Sequence, residues 1–167
     1  MKPNIITYPH KLLRTKLDKV HNFNNPELNK IIQEMTRLMI KYDGIGLAGN
    51  QAGINKRIIV INNHGVTRAY INPQIKRKSF AKQKIEEGCI SFPEIMGYVS
   101  RSKSIVLEYY DYRGQKYKIR ARGLYATVFQ HETDHINGIL FTDKMKKFTQ
   151  GENKFKKLQG QANDDEK

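Results

Sequence analysis

The chain has 167 residues, enough for one compact domain with a sizeable hydrophobic core and too few for two ordinary domains. No apolar run approaches the roughly 20 residues that a membrane-spanning helix needs, and the first residues lack the apolar segment of a signal peptide. A single cysteine excludes an internal disulfide and fits a reducing compartment. We therefore expect a cytoplasmic protein with no membrane contact.

The formal net charge is +14, from 30 Lys and Arg against 16 Asp and Glu. This excess favours encounter with polyanions such as ribosomal RNA, or with acidic substrates. A composition rich in lysine and asparagine explains the charge nearly as well, since we find no run that interleaves basic and aromatic residues as a nucleic-acid groove does. Contact with RNA stays an open alternative.

The first predicted element is an N-terminal helix. Apolar residues recur at helical spacing from about Pro26 to Tyr42 and form one stripe. Asn25 suits the N-cap, Pro26 the first helical position, and Gly44 lies just past the end. We expect this helix to pack its apolar stripe against a core.

The middle of the chain is mostly predicted as β-structure. Residues 57–62 and 69–72 have the composition of strands, and residues 104–112 and 115–121 that of a hairpin turning at Arg113-Gly114. A second helix is predicted from Gly123 to the stop signal at residues 137–138. Beyond these elements the sequence turns polar and rich in lysine.

The most specific motif lies on the second helix, where residues 131–135 read His-Glu-Thr-Asp-His. Two histidines four residues apart point the same way and can bind one metal ion, while the glutamate between them faces a reacting water. A third ligand must come from elsewhere in the chain. The candidates are Cys89, the acidic residues, and His10, His21 and His64.

Cys89 is the preferred third ligand because of its surroundings. Gly88 lets the backbone approach a metal closely, and Pro93 indicates an irregular, fixed segment rather than a central strand. Two histidines and one thiolate leave a fourth position open, which is typical of a catalytic metal site rather than a structural one. The residues alone thus predict a catalytic metal site.

Three motifs, taken in order, resemble those of the polypeptide deformylase family. They read Gly-Ile-Gly-Leu-Ala-Gly-Asn-Gln at 44–51, Glu-Gly-Cys-Ile-Ser at 87–91 and Gln-His-Glu-Thr-Asp-His-Ile-Asn-Gly at 130–138. The opening at residues 6–14 is also similar, so the resemblance covers roughly residues 5–148. One departure is Gly49, which stands where the second alanine of the first motif is usual.

The resemblance implies a bacterial-type enzyme that removes the N-formyl group from the starting methionine of new polypeptides and releases formate. It also implies one divalent metal, ferrous iron in the cell, with zinc, nickel or cobalt able to occupy the same site. Soft thiolate ligation is compatible with each of these ions. The ligands implied are Cys89, His131 and His135.

The catalytic roles follow from the same resemblance. Glu132 acts as general base and then as the acid that protonates the departing amine. The side-chain amide of Gln51 and the backbone N–H of Ile90 stabilise the negative oxygen of the tetrahedral formyl carbon.

The substrate is expected to bind beside the metal, with its methionine in an apolar slot and its backbone added as a strand to an exposed sheet edge. The partners implied are N-formyl-methionyl nascent chains and, transiently, the ribosome that carries them. The positions that match the family's pocket and peptide-binding edge are Ile45, Gly46, Ile85, Gly88, Leu124, Thr127 and Val128, with Arg101 near the peptide.

For the fold we expect the α+β class, with antiparallel β-sheets around a central helix that bears the HExxH motif, and an N-terminal helix. Residues 1–148 should form a single catalytic domain. Residues 149–167 should form a polar, frayed C-terminal tail.

The sequence has features of three other kinds of protein. Gly44, Gly46 and Gly49 match a GxGxxG dinucleotide motif, but a helix precedes it, a strand follows, and no acid lies between Asp43 and Ile85, so no dinucleotide is expected. A basic RNA-binding module would explain the charge and leave the motifs unexplained; RNA binding without metal or hydrolysis would favour it. A zincin-type endopeptidase usually recruits a downstream histidine or glutamate, and no histidine follows His135.

Overall fold

The computed structural model describes residues 4–164, and these form two antiparallel sheets, four α-helices and two short 3-10 helices (Lys11–Arg14 and Gly49–Ala52). The predicted α+β class with antiparallel sheets is confirmed. The helices are α1 (Pro26–Lys41), α2 (Gly123–His135), α3 (Phe141–Lys144) and α4 (Glu152–Asp164). The strands are β1 (Gly46–Ala48), β2 (Ile58–Asn63), β3 (Val66–Lys78), β4 (Lys82–Cys89), β5 (Phe92–Ser102), β6 (Ser104–Tyr110), β7 (Lys116–Arg122) and β8 (Met145–Gln150).

Helix α1 agrees with its prediction to within one residue. The side chain of Asn25 accepts a hydrogen bond from the backbone N–H of Leu28 at 2.9 Å, as an N-cap does. The apolar stripe, including Leu28, Met35 and Met39, is buried and packs with β1 and β2. The helix thus closes one side of the core and leads directly into β1.

The larger sheet has the strand order β1-β2-β3-β6-β7. The β6–β7 hairpin turns where predicted, with Gly114 at a φ of +82° that favours glycine. Strand β3 is longer than the predicted 69–72, because its second half, from Gln74 to Lys78, pairs with β6 although most of its side chains face solvent. An exposed, basic half-strand lacks the apolar alternation that predicts a strand.

The smaller sheet has the order β4-β5-β8, and it corrects the prediction for the segment around Cys89. Cys89 ends the regular strand β4, and β5, which contains Pro93, is the central strand. Proline is tolerated there because residues 93–95 lie in an irregularity of the β4 pairing and before residues 96–99, which pair with β8.

Helix α2 lies between the two sheets and contacts strands of both. Every residue from Ala126 to His135 is buried, which is unusual for a run that contains Gln, His, Glu, Thr and Asp. The helix stops as predicted near Gly138, which has a φ of +73° and whose N–H donates to the carbonyl of His135. Polar groups are therefore held inside the molecule.

The C-terminal segment differs from the predicted frayed tail. Residues 145–150 form β8, and residues 152–164 form α4, anchored by the buried ring of Phe155 against Tyr8, Phe92 and Phe148. One apolar anchor in a polar helix leaves too weak a periodic signal to be read from sequence. Residues 165–167, the end of the predicted tail, lie outside the described residues.

No helix in the described part of the chain is long and apolar enough to cross a membrane.

Candidate metal and substrate site

Three potential ligands meet where β4 ends against α2. One ligand atom from each of Cys89, His131 and His135 lies within 4.8 Å of the others. The thiol sulfur of Cys89 is 3.2 Å from Nε2 of His135, and the two histidine rings are 4.9 Å apart between centroids. Two elements of different sequence regions thus supply one compact donor set.

His131 is oriented by a buried chain of charges. Its Nδ1 is 2.9 Å from a carboxylate oxygen of Glu87, so that Nε2 is left on the side of Cys89. Arg101 donates two hydrogen bonds to Glu87, at 2.7 and 2.8 Å, and a third to Asp134. Lys144 donates to the same Asp134 oxygen at 2.6 Å.

The carboxylate of Glu87 is held in its charged form. Burial alone would raise its pKa, but the hydrogen bonds from Arg101 and His131 outweigh burial and lower the pKa to about 2. A histidine that meets a carboxylate through one ring nitrogen has a fixed orientation and a more basic second nitrogen. This arrangement favours His131 as a metal ligand.

The position of His135 is fixed by a hydrogen bond to its backbone carbonyl. The amide of Asn50 donates to the carbonyl of His135 at 2.6 Å and also reaches the carbonyl of Leu13 at 3.4 Å. Burial lowers the pKa of His135 well below its usual value, so the imidazole is neutral and able to coordinate. A thiol and two imidazoles that converge in this way fit one divalent ion of borderline softness.

Glu132 lies beside the cluster with a carboxylate oxygen, Oε2, that finds no hydrogen-bond partner among the described residues. Burial raises the pKa of Glu132 to about 7. The backbone of Gly46 passes so close that a Cβ there would lie 2.6 Å from Oε1 of Glu132. Glycine at position 46 is therefore what lets β1 approach this carboxylate.

Gln51 presents its amide nitrogen to the cluster. Its Oε1 accepts a hydrogen bond from the backbone N–H of Ala48 at 2.8 Å, which turns the NH2 group toward the site. That group donates to Sγ of Cys89 and to Oγ of Ser91, both at 3.2 Å. Ile90, whose N–H was predicted to assist, lies in the turn between β4 and β5.

A cleft of about 330 Å³ opens onto the cluster, between β1 on one side and β4 on the other. It brings together seven of the eight residues predicted to bind substrate. These seven are Ile45, Gly46, Ile85, Gly88, Leu124, Thr127 and Val128. Gln51, Cys89, Ile90, His131 and Glu132 also line it.

Arg101 is the exception, and its predicted place near the peptide is corrected. Its side chain is 2% exposed and lies behind the cluster, bound to Glu87 and Asp134, rather than on the wall of the cleft. Each of its guanidinium nitrogens already donates to a buried carboxylate. Arg101 therefore holds acidic side chains in place instead of contacting a substrate.

Sequence reasoning also missed the supporting residues. Glu87 and Asn50 stand inside quoted motifs, yet no role was assigned to them. The signal available was position: Glu87 lies two residues before Cys89, on the strand that faces α2, and an acid there is within reach of a ligating histidine. For Asn50 the local sequence carries no such signal.

Gly49, the departure in the first motif, has a local explanation. A Cβ at this position would lie 2.4 Å from the carbonyl oxygen of Lys56 and 2.8 Å from that of Ile54. Both contacts are with backbone, so an alanine would require the 54–56 segment to move away. Here the loop packs more closely than an alanine permits.

The fold and this site define a hydrolase class built on a Cys/His/His donor set with an adjacent glutamate. The model of the family described as "Polypeptide deformylase" matches residues 2–151. The chain therefore belongs to the polypeptide deformylase family. This confirms the predicted family, the enzyme class and the deformylase activity implied by the resemblance.

Relatives of known name support the same assignment. A peptide deformylase of Pelagibacter ubique is 40% identical over 149 residues, covering 86% of each chain. Peptide deformylase 1 of Bacillus subtilis is 36% identical, covering 86% of this chain and 90% of the relative. A chloroplastic peptide deformylase 1B of Solanum lycopersicum is 40% identical over 84% of this chain, which spans only 52% of that relative.

Solved structures agree in fold. The peptide deformylase of Thermotoga maritima superposes with a TM-score of 0.84 at 37% identity, covering 88% of this chain and 99% of the other. A Plasmodium falciparum peptide deformylase in complex with an inhibitor has a TM-score of 0.82 at 39% identity, covering 96% and 97%.

Proposed function

We propose that the chain removes the formyl group from the N-terminal formyl-methionine of newly synthesised proteins and releases formate. The observation that carries this proposal is the convergence at one cleft of a Cys/His/His cluster, an oriented amide, and a buried glutamate whose Oε2 has no hydrogen-bond partner among residues 4–164. These are the groups that amide hydrolysis needs: a metal site, a proton carrier and a donor to the developing negative oxygen.

Cys89, His131 and His135 would hold the metal. A divalent ion bound there supplies a water molecule of lowered pKa and so a nucleophile near neutral pH. Thiolate and imidazole ligands suit ferrous iron, which we propose as the native ion, and also zinc, nickel or cobalt.

Glu132 moves the proton. Its carboxylate takes a proton from the attacking water and then delivers it to the nitrogen of the departing amine. Burial, which raises its pKa to about 7, makes both protonation states accessible near neutral pH. The absence of a side chain at Gly46 leaves room for this carboxylate on the wall of the cleft.

Gln51 and Ile90 stabilise the transition state. As water adds, the formyl carbon becomes tetrahedral and its oxygen becomes negative. The Gln51 amide, already fixed by Ala48, and the N–H of Ile90 are donors for that oxygen.

The cleft selects the substrate by size and polarity. Apolar side chains of Ile45, Ile85, Leu124 and Val128 offer a slot for a methionine side chain. β1 and β4 are edge strands of their sheets, so an extended peptide can add backbone hydrogen bonds near Gly46 and Gly88. We propose nascent chains as the partners, transient contact with the ribosomes that carry them, and a cytoplasmic location.

The direct test is formate release from formyl-Met-Ala-Ser by the purified, metal-loaded protein. We expect release by the wild type, and a loss of about 10²-fold or more in Glu132→Ala and Cys89→Ala. Glu27→Ala, at an exposed glutamate of α1, is the matched control and should keep full activity. The proposal would be contradicted if the wild type released no formate with ferrous iron bound and none with nickel bound. Cleavage of unformylated internal peptide bonds would instead favour an endopeptidase.

Air sensitivity tests the identity of the metal. Ferrous iron is readily oxidised in air and nickel(II) is not, so iron-loaded protein should lose activity on aeration while nickel-loaded protein keeps it. Activity of each form is followed over hours in air and under argon. Iron-loaded protein that keeps full activity through prolonged aeration would rule out this account of the metal.

A further inference from the structure

The connection between the two sheets combines positive charge with an exposed aromatic ring. Residues 76–84 read Lys-Arg-Lys-Ser-Phe-Ala-Lys-Gln-Lys and run from the end of β3 into β4. Lys103, between β5 and β6, lies beside them, since its N–H donates to the carbonyl of Ala81. We name residues 76–84 with Lys103 the basic corner. This segment escaped the sequence analysis, which found no run that mixes basic and aromatic residues.

Phe80 is fully exposed at the tip of the basic corner. Its backbone is nevertheless held in place. The N–H of Ser79 donates to the carbonyl of Ser104, the hydroxyl of Ser79 donates to the carbonyl of Ala81, and the N–H of Ser104 donates to that hydroxyl. A rigid tip presents the ring without the entropy loss that ordering a loose loop requires.

The cations around Phe80 are in excess. Within the described part of the chain, Lys76 has a salt-bridge partner, Glu108 at 3.8 Å, and Arg77, Lys78, Lys82 and Lys103 have none. Burial lowers the pKa of Lys78, and the neighbouring charge of Lys144 lowers it further. Asp134, the acid whose charge acts on Lys78, is already paired with Arg101 and Lys144.

From this geometry we propose that the basic corner binds single-stranded RNA, with an unstacked base on the ring of Phe80 and phosphates on the surrounding lysines. Aromatic stacking with phosphate contacts is how proteins bind single strands without reading sequence. Arg77 and Lys78 pair with the consecutive residues Val106 and Ile105, so their side chains leave β3 on opposite faces, and a register shift between Ile75 and Arg77 interrupts the alternation at Lys76. Cations on two faces suit a flexible strand that wraps the tip better than a flat membrane surface.

The test is fluorescence anisotropy of a labelled 12-nucleotide single-stranded RNA titrated with the metal-loaded protein at several salt concentrations. Phe80→Ala should weaken binding about tenfold. The association constant K should fall with salt concentration. Replacing Lys78, Lys82 and Lys103 together by Gln should make the slope of log K against log salt less negative by about 2. Deformylation of formyl-Met-Ala-Ser should be unchanged in both variants, because none of these residues lines the cleft.

Matched controls separate the basic corner from overall charge. Tyr117→Ala removes an exposed aromatic that also lies between two lysines, and Lys16, Lys19 and Lys30 changed to Gln remove three exposed charges elsewhere. The proposal is supported if Tyr117→Ala binds RNA as tightly as the wild type. It also requires that the variant of Lys16, Lys19 and Lys30 binds RNA more tightly than the variant of Lys78, Lys82 and Lys103. Equal binding by Phe80→Ala and wild type overturns it. So does Phe80-dependent binding to vesicles of phosphatidylserine without binding to RNA.

Discussion

At the scale of single residues, Glu87 links the stability of the protein to the geometry of its site. Glu87 and Arg101 are 6% and 2% exposed, and the same carboxylate that pairs with Arg101 also meets Nδ1 of His131. Removing one partner from a buried ion pair leaves an uncompensated charge in the interior. A substitution of Glu87 should therefore change both the free energy of unfolding and the affinity for the metal.

We expect Glu87→Gln to lower the free energy of unfolding by about 3–5 kcal/mol, because Arg101 keeps its charge and loses its main partner. Metal affinity should fall about 10–100-fold, since His131 loses its orienting carboxylate. Urea unfolding measures the first effect, and competition with a chelator measures the second.

The neighbouring Glu86→Gln is the control for this change. Glu86 is exposed and has no salt-bridge partner among residues 4–164. Its replacement should alter the free energy of unfolding by less than about 0.5 kcal/mol. Equal stability and equal metal affinity of the two variants would contradict the role given to Glu87.

Gln51→Ala should lower kcat by about 10²–10³-fold with little change in KM, because a donor that acts on the developing negative oxygen is lost. Gln83→Ala is the matched control, because its amide donates to Thr127 at 3.0 Å but Gln83 does not line the cleft. The kcat of this variant should equal that of the wild type. Metal content is measured in both proteins, and a normal kcat in Gln51→Ala with metal bound would refute the assignment.

The ligands could be predicted from sequence because their geometry is local. His131 and His135 are one helical turn apart, and Cys89 has a motif around it. The partners of Arg101 could not be predicted, because Glu87 and Asp134 are 14 and 33 residues away and approach it only when β4, β5 and α2 pack together. Sequence position placed Arg101 near the peptide, whereas packing placed it behind the cluster.

At the scale of elements, the helices also differ in whether local sequence or long-range packing determines them. α1 has a full apolar stripe with caps, so its ends could be predicted to within a residue. α4 has one buried side chain, Phe155, in an otherwise polar sequence. Such elements are fixed by a few long-range contacts, which a periodic pattern does not carry.

Phe155→Ala tests whether α4 is part of the folded domain. The ring packs among Tyr8, Phe92 and Phe148, so its loss should cost about 3–5 kcal/mol in free energy of unfolding. The measurement is urea unfolding followed by circular dichroism. Lys156→Ala, on the exposed side of α4, should have little effect. If Phe155→Ala were as stable as the wild type, the prediction of a frayed C-terminal tail would be supported instead.

At the scale of the whole molecule, the site joins three parts of the fold. Cys89 ends a strand of the smaller sheet, Gln51 follows β1 of the larger sheet, and both histidines lie on α2 between them. A ligand that binds only the folded state stabilises it by mass action. A metal ion held by Cys89, His131 and His135 would therefore stabilise the packing of β4 against α2.

Removing the metal should lower the melting temperature. At a metal concentration about 100 times its Kd, binding adds about 2.7 kcal/mol, or roughly 5–10 °C for a chain of this size. Thermal unfolding with and without a chelator measures the shift, which should vanish in Cys89→Ala. An identical shift in that variant would show that the stabilising ion binds elsewhere.

The strand order has a consequence for solubility. Two open sheets have four edges, here β1, β7, β4 and β8, and bare edges invite pairing between molecules. β1 is only three residues long, and each of the other three edge strands carries at least two exposed lysines or arginines. Part of the charge of +14 thus keeps copies of the chain from joining edge to edge.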